Sequence, residues 1–200
     1  MSNPASSRLT GAAFATLLLT AFMMGANHVA ARTAFNHGLD VLTAVTVRSV
    51  LTAVVVALIL WHQKVAFSVL PQQRKYLAAV GVLIAVQSVC LYSAVARLPV
   101  ALALLAFNTY PLTTALWARF LYGHKPERAL LWAMPVMMLG LALALDVLGA
   151  ASGLGAARHW GEIGAGVGFA LIASVTFGLA LVLTQHETVG VDGRLRSFTS

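Results

Sequence analysis

The stretch Val41-Leu-Thr-Ala-Val-Thr-Val-Arg48-Ser-Val-Leu-Thr-Ala-Val-Val-Val-Ala-Leu-Ile-Leu60 decides the fold: twelve of its residues are Val, Leu or Ile and one charge interrupts them. At about 1.5 Å of rise per residue it makes a helix of about 30 Å, the thickness of a bilayer's hydrocarbon core. A central Arg costs about 2.5 to 3.5 kcal/mol on insertion scales, and each branched aliphatic residue offsets about 0.3 to 0.6, so the segment inserts. Working outward, Leu9 to Ala31, Tyr76 to Ala96, Val100 to Tyr122, Ala129 to Leu148 and Ile163 to Thr184 have the same character. With 60% hydrophobic and 10% charged residues the chain is too apolar for a soluble domain. None of the runs alternates with period two, so the backbone polar groups are satisfied inside helices and not in a barrel. The expectation is an all-α, polytopic transmembrane helical bundle. Leu9 to Ala31 is too long for a signal-peptide core, and five spans follow it.

The net charge of +7 reports topology. With a cytoplasmic N-terminus, Arg8, Lys64, Arg74, Lys75, Arg119, Lys125, Arg128, Arg194 and Arg196 lie inside, against Arg32, Arg97 and Arg158 outside. That asymmetry satisfies the positive-inside rule. No basic stripe with interleaved aromatics is present, so nucleic acid is not an expected partner; the lipid bilayer is. Cys90, the single cysteine, has no internal disulfide partner and reads as a small buried hydrophobe.

Arg97, Leu98 and Pro99 alone join the third and fourth spans, which forces an antiparallel hairpin. The Gly- and Ala-rich stretch 149–162 reads as an outer linker between a first unit, 1–148, and a second, 163–200. Gly11, Phe14, Ala15 and Phe22 recur as Gly166, Phe169, Ala170 and Phe177 at a constant offset. A repeat of five spans would place its second copy upside down, the inverted-topology arrangement of many secondary transporters. Leu195-Arg196-Ser197-Phe198-Thr199 echoes Val47-Arg48-Ser49-Val50-Leu51, so the expectation is a fragment of a longer protein.

Arg48 is expected to face a partner or water instead of lipid, either binding substrate or pinning helices through backbone carbonyls. Asn27, His28, Tyr92 and Asn108 fall at similar depth in the outer half of the bilayer, with Gln87 and Ser88 nearer the midplane. Together they are candidates to line a substrate cavity. Each has the alternative of simple interhelical hydrogen bonding, and His28 that of a packing donor or a proton relay. Pro111 and Pro135 are expected to kink the fourth and fifth helices, and Gly164 with Gly168 to form a close-packing face. The acidic residues Asp40, Glu127, Asp146, Glu162, Glu187 and Asp192 lie in loops or at span boundaries.

There is no phosphate-binding Gly-Lys-Ser/Thr loop, no His-Glu-x-x-His, and no metal-ligand spacing among the six His residues. Ser152, in Gly-Ala-Ala-Ser-Gly, reads as a turn. No catalytic residue, metal site or cofactor is therefore expected, and the chain does not read as an enzyme.

Several segments together resemble a known family. Gly25-Ala-Asn27-His-Val-Ala30 is similar to a Gly-Ser-Asn-Phe-type ending of a first helix, and Arg48 matches an Arg near the start of a second. Tyr92-Ser-Ala94, Ala101-Leu-Ala-Leu-Leu-Ala106 and Tyr110-Pro111 resemble the stretch across the third and fourth helices. Leu121-Tyr-Gly123-His124-Lys125-Pro126 stands where Leu-Gly-Glu-Arg-Pro is usual, with His124 in place of Glu. The family is the EamA-like branch of the drug/metabolite transporter superfamily. The resemblance implies one complete five-helix repeat plus the first helix of a second, inverted repeat. It also implies a bacterial inner-membrane exporter of small metabolites, amino acids or drugs, working by alternating access, and leaves a homodimer open. The alternative from another class is a non-transporting membrane subunit or sensor, which polar residues scattered around the helices would favour.

Overall fold

The computed structural model describes residues 11–62, 71–125, 128–146 and 156–188. These form seven helices: α1 Gly11–Asn36, α2 Val41–His62, α3 Pro71–Arg97, α4 Val100–Phe107, α5 Tyr110–Tyr122, α6 Arg128–Ala144 and α7 Ala156–Glu187. The described residues contain no strand. Among the described residues, five segments are long and apolar enough to cross a membrane by length and composition: Ala13–Asn36, Val41–His62, Gln73–Arg97, Val100–Tyr122 and Ile163–Glu187. The architecture is thus the helical polytopic bundle expected from the apolar runs.

The boundaries differ from those read in sequence in three places. The span Val100–Tyr122 is two helices, because Pro111 supplies no N–H to continue the ladder and Asn108 and Thr109 form a turn. Pro135, by contrast, lies inside the unbroken α6. At 17 residues α6 is about 25 Å long, shorter than the span Ala129 to Leu148. Helix α7 begins at Ala156, so Ala156 to Glu162 of the expected linker are helical. Leu9, the stretch 149–155 with Ser152, and the segment Leu195 to Thr199 lie outside the described residues.

Local chemistry sets the helix ends. Asp40 caps α2 by accepting the Thr43 backbone N–H on its carboxylate at 3.1 Å. Gly123, at φ +68°, ends α5 in the left-handed region, where its missing Cβ removes the steric penalty. Arg32 of α1 donates to Val95 O at 2.6 Å, placing a cation on a last-turn carbonyl of α3.

Helices α3 and α7 form the most extensive pair, with α4 and α5 also against α7, while α1 and α2 each lean on α3. Water does not drive association between helices in lipid, so close packing and hydrogen bonds must. Ala94, Ala103, Ala106 and Ala170 are accordingly fully buried at the centre, beside Val95, Leu98, Leu141, Leu145 and Val167. The close approaches occur at Gly166 and Gly178, not at the expected Gly164 and Gly168. A Cβ at Gly166 would stand 2.6 Å from Leu98 Cγ, and one at Gly178 2.8 Å from the Thr114 backbone N. At Gly168 it would meet nothing within 4 Å. Arg97 completes the α3–α7 contact, its guanidinium 4.8 Å from the Phe169 ring centre.

Candidate functional site

Two helices, α1 and α2, deliver polar side chains to the Tyr92 hydroxyl on a third, α3. Tyr92 lies on α3, buried at 3% exposure. Asn27 Nδ2 of α1 donates to its oxygen at 2.8 Å, and Arg48 Nη1 of α2 donates to the same oxygen at 3.2 Å. Arg48 Nη2 reaches Ser88 Oγ at 3.2 Å, and the Arg48 guanidinium carbon stands 5.1 Å from the Tyr92 ring centre. Ser88 Oγ in turn donates to Gln87 Oε1 at 3.4 Å. The His28 ring packs against Tyr92 with centres 5.8 Å apart, and its Nδ1 is buried without a hydrogen-bond partner.

The spacing explains the convergence. Ser88 and Tyr92 are four residues apart on α3, so they share one helix face, and Arg48 spans both with its fork. Arg48 and Asn27 remain exposed, whereas His28, Gln87 and Ser88 are buried behind them. Two cavities meet at Arg48. One of about 430 Å³ between α1 and α2 is lined by Leu19, Thr20, Met23, Met24, Asn27, His28 and Arg48. The other, about 690 Å³ between α2 and α3, includes Thr46, Arg48, Ser49 and Ser88. Arg48 therefore turns toward α3 and polar partners.

Of the six candidates from sequence, Asn27, His28, Arg48, Gln87 and Tyr92 are brought together. Asn108 is not: it sits exposed at the α4–α5 turn, its backbone N–H on Leu104 O, and makes no hydrogen bond to the cluster. Depth alone placed it with the others; the helix break at Pro111 moved it onto a turn.

A second polar seam was not anticipated. Thr109 Oγ1 and Ser174 Oγ lie 2.9 Å apart, Thr113 Oγ1 donates to Ser174 O at 2.9 Å, and Trp117 Nε1 donates to Val175 O at 3.2 Å. Thr109, Thr113 and Trp117 recur every four residues, a legible helical stripe, and Gly178 lies one turn beyond Ser174. At the far end of α5, Tyr122 donates to Glu187 Oε1 at 2.5 Å and stacks on His186 with centres 4.0 Å apart, while His124 stands 5.0 Å from His186. Glu187 thus puts a carboxylate at the C-terminal end of α5. These contacts fasten α5 to α7.

No group of three or more His, Cys, Asp or Glu able to hold a metal occurs among the described residues. The arrangement is a polar cluster around one cation on apolar helices, where a charge at that depth is costly. The model of the EamA-like transporter family matches residues 11–145, well over half of the chain, and the protein belongs to that family. It is a multi-pass membrane protein of the transporter class. No curated protein and no solved structure matches the chain.

Proposed function

We propose that the protein is a secondary transporter of the bacterial inner membrane that exports small metabolites, amino acids or drugs by alternating access. The observation that carries this reading is the meeting of α1, α2 and α3 side chains on one buried hydroxyl beside two cavities. Helix glue needs no more than a bond from one helix to the next; here Asn27 and Arg48 share the Tyr92 oxygen, Arg48 also takes Ser88, and the group borders open space. In this reading Arg48, Asn27, His28, Gln87 and Tyr92 contact the solute. The excess of Lys and Arg toward the Tyr122 end supports a cytoplasmic N-terminus, with Asn36 and Arg97 on the outer side. The Tyr122, His186 and Glu187 contacts then close the bundle on the cytoplasmic side.

The test is solute counterflow in proteoliposomes containing the full-length protein, Arg48→Ala or Tyr92→Phe, across a panel of small metabolites, amino acids and drugs. Flux is expected to fall about tenfold or more in Arg48→Ala, in line with the about 1.5 to 3 kcal/mol that a hydrogen bond to a charged group contributes. Unchanged kinetics in both variants would assign the cluster to structure alone.

A further inference from the structure

Donors outnumber acceptors in the cluster. Arg48 carries five N–H groups, of which one meets Tyr92 and another Ser88. Among the described residues no carboxylate pairs with Arg48. The Tyr92 oxygen accepts from both Arg48 and Asn27, so its own proton has still to be given. His28 is 8% exposed, lines the same cavity as Arg48, and holds an unpartnered Nδ1. Arg48 and Tyr92 therefore hold unspent donors around one cation, with the His28 ring beside them.

We infer that the cavity between α1 and α2 binds a carboxylate-bearing solute with a short apolar body, the carboxylate between Arg48 and His28 and the body against Leu19, Met23 and Met24. This rests on the reading of the cluster as the transport site. A carboxylate offers about four acceptor positions and fits the planar fork of a guanidinium. An anion compensates the guanidinium where a neutral solute does not, and a cation would be repelled. Further along α1 from Asn27 and His28 the lining is Leu19, Thr20, Met23 and Met24, which offers no charge to a second ionic group and suits a compact hydrocarbon, with the methionines adapting to its shape.

The experiment is equilibrium binding of tritiated isocaproate and phenylacetate to the full-length protein in nanodiscs, each competed by its own unlabelled acid and by its carboxamide. Saturable binding is expected, with the amides weaker by about tenfold or more, the scale of a charge-assisted hydrogen-bonded pair. Arg48→Lys, which keeps the charge and loses the fork, is expected to bind more weakly than wild type but more tightly than Arg48→Gln, which is expected to lose about tenfold or more. His28→Phe, which keeps the ring packing, is expected to weaken both acids. Acid and amide binding equally to the unmodified protein would overturn the inference without reliance on any variant. So would absence of saturable acid binding, or retention of full affinity in a monodisperse Arg48→Gln protein. Counterflow separates this from the parent reading: flux of neutral solutes without acid binding ends the anion assignment and leaves transport standing. Acid binding without flux of any solute does the reverse.

Discussion

Tyr92 is the residue on which the cluster depends. Its ring packs against His28 and its oxygen serves two donors from two different helices. Tyr92→Phe preserves the ring and removes the shared acceptor, so Asn27 Nδ2 and Arg48 Nη1 each lose a partner while Arg48 Nη2 keeps Ser88. The expected cost is about 1 to 3 kcal/mol, seen as a lower melting temperature of the detergent-purified protein. Asn108→Ala should do neither harm nor good, with flux and melting temperature at wild-type values, because that side chain is exposed on the α4–α5 turn. A loss of flux in Asn108→Ala would return that residue to the site. What separates Asn108 from Asn27 is not depth, which sequence reports, but direction around the helix axis, which depends on where the helix breaks.

At the scale of the element, α7 is held by two kinds of contact. Small residues bring it against α3 and α4, and hydroxyl groups tie it to α5. Gly178 sits where both meet, with no room for a side chain before the Thr114 backbone. Gly178→Val should therefore destabilise the α5–α7 pair by about 1 to 3 kcal/mol through overpacking. Gly168→Ala, in open space, should be neutral or slightly stabilising, since Ala is favoured over Gly in a helix by about 1 kcal/mol. Parallel thermal melts of the two variants decide it, and equal destabilisation would refute the assignment of the packing face. The repeat of glycines four apart at Gly164 and Gly168 was a reasonable guide to a close-packed helix. The glycines actually used lie on another face, because the neighbour's position selects which face is crowded. Pro111 and Pro135 make the same point. One breaks its span and the other is accommodated, and both are the same residue in apolar sequence.

For the whole molecule, the directions of the helices are fixed relative to one another, and the side of the membrane each end faces remains to be measured. Arg32, Arg97 and Leu98 mark one end; Tyr122, His124 and Glu187 mark the other. In a Cys90→Ala background, His37→Cys should react with a membrane-impermeant maleimide in intact spheroplasts, and Lys125→Cys only after permeabilisation. The opposite labelling pattern would invert the proposed orientation. Helices α1 and α2 present broad apolar faces, with Phe22 at 70% and Leu51 at 63% exposure, as lipid-facing or helix-facing surfaces do in a bilayer.

The sequence by itself determined that the chain is built of apolar helical spans and the approximate limits of five of the six it marked, because hydrocarbon tolerates only long, internally hydrogen-bonded segments. It also exposed Arg48 as exceptional, since a charge at that depth is costly enough to demand a reason. Motifs scattered from Gly25 to Pro126 carried the family. Only the tertiary structure decided which polar groups meet. Arg48, Asn27 and Ser88 come from three helices separated by long stretches of chain, and their convergence depends on rotations and tilts that no local pattern encodes. The same holds for the Thr109, Thr113 and Ser174 seam, whose partner residue lies 65 positions from Thr109. Span composition answers to the solvent, which acts on each segment alone. A binding cluster answers to the packing of neighbours, which acts on all of them at once.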